Sequence, residues 1–216
     1  MQSLRALVIC FLVLAIYACK KDGAVNYSIT GRVSDADEGT SLEGVLITVE
    51  KQVVQNGVFG NTFQPALTTT SNADGNYSGS WSRENFAALR LTATKNQYIP
   101  SESNLDIDQL EAEQTIQKEL TLYKEAFASI RFQHSDGAES DRLSFTFLNA
   151  NFNCNCCANG WKVIEGPAVD TSFTCRVYGN RWLKYQVLKQ IGFSDSSFVD
   201  SIYCPAFITT QRTIDY

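Results

Sequence analysis

Five cysteines crowd the second half of this 216-residue chain: Cys154, Cys156, Cys157, Cys175 and Cys204. Thiolates can hold a soft metal, pass through redox states or pair as disulfides. The first three fall in Asn153-Cys154-Asn155-Cys156-Cys157, a C-x-C-C spacing. Structural zinc sites use C-x₂₋₄-C pairs with a second, distant pair, and adjacent side chains such as Cys156 and Cys157 diverge on an extended strand. No thioredoxin-type setting surrounds them. All five are therefore disulfide candidates, with Cys175 and Cys204 each expected to bridge from a strand to another cysteine. Two bridges would leave one thiol over, and spacing does not choose the pairing. A cysteine-held metal stays as the alternative, but no metal or other cofactor is expected.

The remaining chemistry is thinner. His134 is the only histidine, so any Ser-His-Asp triad would have to be built on it. Ser135 and Asp136 adjoin it, yet adjacency is not triad geometry, and no Gly-x-Ser-x-Gly elbow occurs. His134 to Gly137 reads as a turn after a strand. Asp35, Asp37 and Glu38 could offer calcium oxygens but lack the spacing of an EF-hand loop. Asp106, Asp108, Glu111 and Glu113 could pair across a cleft as in glycosidases; a solvated face on a polar connection or short helix is the simpler reading. No phosphate loop or dinucleotide fingerprint is present. No catalytic residue is expected, and the chain does not read as an enzyme.

The first residues read as an address. Arg5 precedes an unbroken apolar run, Ala6 to Ala18, too short for the ~20 residues of a membrane-spanning helix and suited to the core of a secretory signal. Ile16-Tyr17-Ala18-Cys19 closes the run and resembles the lipobox of bacterial lipoproteins. That resemblance implies cleavage after residue 18, lipid on Cys19 and a tether over residues 19–25. Two or more acyl chains hold a protein stably on a bilayer. Lys20 after the cysteine favours the outer membrane, with either a periplasmic or a surface-facing position. An exported compartment also permits disulfides.

The chain carries a formal charge of −5, one more negative without Arg5. That balance excludes a nucleic-acid partner, which would reward clustered Lys and Arg. Downstream of the tether, short alternating apolar runs recur between Gly, Asn, Asp and Ser, the mark of sandwiches and barrels. Tyr27, Ile29 and Val33 share one face; so do Val45, Ile47 and Val49; so do Leu89, Leu91 and Ala93. Asn72-Ala73-Asp74-Gly75-Asn76 reads as a tight reversal before Tyr77.

Gly31-Arg32-Val33-Ser34-Asp35, Leu42 to Val49, Thr68 to Thr70, Asp74 to Tyr77 and Leu91 to Pro100 together resemble the carboxypeptidase regulatory-like domain. The resemblance implies a transthyretin-like β-sandwich over residues 26–124 with no catalysis of its own. Lys51 to Leu67 departs from the pattern and reads as an extended hairpin or a protruding loop, with Val58, Phe59 and Phe63 on it. Lys124 to Phe127 reads as a short hinge between closely packed halves. Residues 125–216 read as a second, Ig-like sandwich: Ile130 and Phe132, Leu143 and Phe145, then Phe173 to Val177. Leu183 to Val187 is expected to return as a hairpin after Gly179-Asn180, followed by Ile202 and Cys204 and a last strand at Thr209 to Ile214.

The expected architecture is all-β: two tandem antiparallel sandwiches behind a signal peptide (1–18) and tether (19–25). The expected role is a non-catalytic envelope lipoprotein held to the membrane by lipid. Its loops, notably Lys51–Leu67 and Asn149–Trp161, would bind a protein or glycan partner. The alternative is a structural spacer in an outer-membrane assembly.

Overall fold

The computed structural model describes residues 26–55, 58–134, 137–149 and 160–216. The fold is all-β. The strands are β1 (Asn26–Asp35), β2 (Leu46–Gln55), β3 (Val58–Thr70), β4 (Asn76–Ser82), β5 (Phe86–Thr94), β6 (Ser101–Asn104), β7 (Thr115–Gln117) and β8 (Leu120–Leu122). Between β6 and β7 runs one short helix, α1 (Ile107–Glu113). Then follow β9 (Glu125–His134), β10 (Arg142–Phe147), β11 (Lys162–Glu165), β12 (Val169–Tyr178), β13 (Arg181–Ile191), β14 (Ser194–Cys204) and β15 (Thr209–Asp215).

The alternation read from the sequence sets the first core. Tyr27, Ile29, Val33, Val45, Ile47, Val49, Leu89, Leu91, Ala93, Ile116, Leu120 and Leu122 are all buried in one cluster. It lies between a β4-β1-β7 sheet, with β8 also on β1, and a β3-β2-β5-β6 sheet. Gly75 takes φ +76 in the Asp-Gly reversal, while Asn72 Oδ1 accepts from the amides of Asp74 and Asn76. Gly31 answers a close approach: a Cβ there would lie 1.8 Å from the Lys118 carbonyl oxygen. The Lys51–Leu67 segment is an extended hairpin, β2 pairing with β3 as far as Gln55 opposite Val58. Its Phe63 is half-buried under the Arg90 guanidinium, 4.2 Å away.

A second cluster, sharing no residue with the first, holds Ile130, Phe132, Leu143, Phe145, Val177, Leu183, Tyr185, Val187, Ile202 and Cys204. It lies between a β12-β9-β15 sheet and a β11-β10-β13-β14 sheet. Counting strands from the start of each half gives the same order twice, 4-1-7 facing 3-2-5-6, with β7 and β8 sharing the seventh place in the first half. The two sandwiches thus share one connectivity, although their sequences show no obvious repeat.

Two expectations need correction. The sheets are mixed: β7 and β8 run parallel to β1, and β15 runs parallel to β9. In each half the first strand is central in its sheet, and the chain's last strand reaches it after crossing over. Second, β12 and β13 do not form a hairpin. β12 pairs with β9 while β13 pairs with β10 and β14, so Gly179-Asn180 carries the chain from one sheet to the other. Alternation places Val177 and Leu183 in the core under either arrangement, and the periodicity could not separate them.

The halves meet at a tied junction. Lys124 forms an isolated bridge with Tyr98, and the Glu125 amide donates to the Gln97 carbonyl. Arg181 pairs with Asp37 at 2.8 Å, and Asn180 donates to the same carboxylate at 3.0 Å. Arg176 donates to the Tyr98 carbonyl at 3.0 Å. Tyr123 and Tyr178 stack at 4.3 Å with an interplanar angle of 7°, and Phe207 meets Tyr98 edge-on. The residues expected as a hinge are thus held by hydrogen bonds.

Candidate functional site

Cys19, the expected lipid site, and Cys154, Cys156 and Cys157 lie outside the described residues. Cys175 is disulfide-bonded, and no described cysteine is its partner, because Cys204 is a free, buried thiol. The expected bridge from Cys204 is therefore not made. Its sulfur sits within the core with a 3.8 Å contact to the Ile202 carbonyl, and burial pushes its pKa up to about 11. Among the described residues no group of three or more His, Cys, Asp or Glu is placed to hold a metal.

The acidic candidates serve the frame. Asp35 is buried at 2% exposure and accepts from the amides of Asp37 (2.8 Å) and Glu38 (3.1 Å) and from the Tyr98 hydroxyl (3.0 Å). The Lys124 ammonium lies 3.4 Å from it and also pairs with Glu38. Burial raises the Asp35 pKa, but these donors outweigh it and hold the group below the usual carboxylate value. Asp35 and Glu38 thus share Lys124, while Asp37 turns to Asn180 and Arg181. Asp106 caps α1, accepting from the Asp108 and Gln109 amides, and Glu113 accepts from Gln109.

His134 ends β9 at the opposite tip of the second sandwich. Its Nε2 lies 3.1 Å from Asp141 Oδ2, and its ring stacks on Tyr216 at 4.6 Å. Asp141, which sequence reasoning missed, also accepts from the Ala138 and Gly192 amides. Those amides hold it below the ordinary carboxylate value, with burial opposing and His134 adding to the effect. No described hydroxyl or thiol hydrogen-bonds to the imidazole, so the described residues assemble an acid–histidine pair that pins the β13–β14 turn, without a nucleophile. An open cleft of about 790 Å³ lies beside it, lined by residues including Asp170, Asp215 and Tyr216.

The distribution of exposed apolar side chains is the second feature missed. Apart from Leu46, every large apolar residue left exposed among those described belongs to the second half. Several share the outer face of the β11-β10-β13-β14 sheet: Val163 is 45% exposed, Trp182 59%, Val199 58% and Tyr203 40%. Trp182 and Tyr203 are direct cross-strand partners, their rings 5.4 Å apart and tilted by 53°. Assigning Leu183, Tyr185 and Val187 inward already implied an outward Trp182, but exposure of its ring is a tertiary fact. Asn149 anchors this corner, donating to the Trp182 carbonyl and accepting from the Lys184 amide.

No helix among the described residues is long and apolar enough to cross a membrane. No family model matches the chain, and no curated protein matches it. Solved structures show weak likenesses. The TIE protein of Bacillus anthracis is 11% identical over 88% of this chain with a TM-score of 0.34, and this chain spans 34% of that protein's length. The minor pilin of Streptococcus agalactiae is 12% identical, covering 88% of this chain and 94% of its own, with a TM-score of 0.35. The shaft pilin of Lactobacillus rhamnosus GG is 10% identical, covering 89% and 97%, with a TM-score of 0.31.

Proposed function

We propose that this chain is a non-catalytic binding module of the cell envelope, tethered by lipid on Cys19 and belonging, over its first half, with carboxypeptidase regulatory-like domains. The observation that carries the binding role is the uneven surface. The first sandwich covers nearly all its described large apolar residues, whereas the second leaves aromatic and aliphatic side chains open on one sheet face. Scattered exposed apolar residues need no explanation, but clustered ones mark interaction sites. The described carboxylates of the junction and tip are meanwhile engaged in caps, turns and ion pairs. Supporting the tether, β1 starts at Asn26, so little chain separates the lipobox cysteine from the first sandwich.

The tied junction sets the second sandwich at a fixed offset from the first, which suits a module that must hold its face clear of a bilayer. Labelling cells with an alkyne-bearing palmitate tests the tether. Wild-type protein should take up label and sediment with outer membranes, and Cys19→Ala should lose both. Label retained by Cys19→Ala would contradict the assignment.

A further inference from the structure

We propose that the outer face of the β11-β10-β13-β14 sheet binds a neutral polysaccharide; this rests on the binding-module reading and names its ligand class. The strand register fixes what the face presents. Residues on its inner side, Leu143, Phe145, Leu183, Tyr185, Val187 and Ile202, are buried, so their alternating neighbours point outward. One cross-strand row runs Val163, Ser144, Leu188, Ser197. The next reads Thr146, Gln186, Val199, then Lys184 beside Ser201, and finally Trp182 beside Tyr203. Apolar and hydroxyl or amide side chains therefore alternate across the sheet.

That alternation selects the occupant. A protein partner is best served by a contiguous apolar centre with a polar rim. Here such a partner would cover hydroxyls in every apolar row, each of which costs free energy if it is left without a hydrogen-bond partner. A sugar chain supplies both halves of the match, since its C–H faces lie on aromatic rings while its hydroxyls meet Ser, Thr and Gln side chains. Charge narrows the class further. The outward charges balance, Lys184 and Arg142 against Glu165 and Asp195, and Arg142 already lies 3.3 Å from Glu165. An acidic glycan would find no cationic track. The tilted Trp182–Tyr203 pair forms an apolar platform at one end, and a depression of about 330 Å³ at the other is lined by Ser144, Leu188, Lys189, Gln190, Asp195 and Ser197 among others, where the Lys189 ammonium is already committed to the Asp215 carbonyl at 2.7 Å. The occupant is thus an extended, uncharged chain.

The test is affinity electrophoresis of the full-length lipidated protein in detergent. Gels would contain a β-glucan, a mannan, a galactomannan or a starch, with polygalacturonate as the acidic comparison. At least one neutral polymer should retard the protein. Trp182→Ala and Tyr203→Ser should each weaken retardation tenfold or more, and Lys184→Gln should change it less than twofold. Both aromatic residues are exposed, so thermal melting should match wild type; two independent variants guard against one misfolding. Retardation by none of the neutral polymers overturns the proposal, as do full binding by both aromatic variants and preference for polygalacturonate abolished by Lys184→Gln. Cross-linking to a cell-surface protein that is lost in both aromatic variants, without polysaccharide binding, also overturns it. Lipidation is scored in the same preparations: a lipidated protein blind to neutral polymers sinks the ligand assignment alone, whereas an unlipidated one that still binds sinks the tether alone.

Discussion

Asp35 shows how one residue can look like a ligand and act as a fastener. In the sequence it stands with Asp37 and Glu38 as a possible oxygen cluster. In the fold it is buried, and four donors from three segments converge on it. Its folded pKa is depressed, so its contribution to stability is present above the unfolded value of about 3.9 and is lost as pH falls through the folded value. Asp35→Asn should therefore lower stability at neutral pH by about 1–3 kcal/mol, the cost of weakened buried hydrogen bonds, with the difference from wild type shrinking toward pH 3. Urea titrations at several pH values measure this, and an undiminished difference at pH 3 would contradict it. Cys204 permits a complementary test. Its pKa of about 11 and its burial predict that iodoacetamide at pH 8 leaves the Cys204 peptide unmodified in native protein. The same peptide should alkylate fully in urea, as peptide mass mapping would show. Position in a strand made Cys204 look bridge-bound; whether a second sulfur lies within reach is set by the sheets and is invisible in spacing.

At the scale of elements, what could be read was which side chains face inward. Tyr27, Ile29, Val33 and the other alternating runs are core residues where expected, because period two is a local property. What could not be read was which strands pair. Val177 and Leu183 are buried equally well whether β12 and β13 form a hairpin or cross between sheets, so the burial pattern is silent on the choice. The parallel strands β7, β8 and β15 were hidden for the same reason. Gly31 offers a direct check on the first of these crossovers. A methyl group at position 31 would overlap the Lys118 backbone between β7 and β8. Gly31→Ala should cost about 1–3 kcal/mol or more from forced overpacking, read as a fall in thermal midpoint. Leu46→Ala on the exposed face of β2 should cost well under 1 kcal/mol. Equal shifts for the two variants would contradict the β1–β7 arrangement.

The described residues form two sandwiches of one connectivity joined without slack, and the outer face of one sheet of the second carries the exposed Trp182–Tyr203 pair. The junction turns Arg176, Asn180 and Arg181 toward the first half, and no spacing in the chain announced those pairings, which span up to 144 positions. Replacing Asp37 with Ala removes the acceptor for both Asn180 and Arg181. Spin labels placed one in each sandwich should then show a broader distance distribution than in wild type; an unchanged width would mean that the junction is held elsewhere. The candidate site was not read from the sequence: inward Leu183, Tyr185 and Val187 leave Trp182 outward by alternation, but the gathering of exposed side chains on one face needed the register of four strands. The tether, by contrast, rests on the first residues alone: Arg5, the apolar run Ala6 to Ala18 and the Ile16–Cys19 lipobox. The intact mass of the mature protein extracted from membranes is the most direct test of the account. It should correspond to a chain beginning at Cys19 and carrying acyl chains and a glyceryl group; a mass matching a chain that begins at Met1, or at an unmodified Cys19, would contradict it.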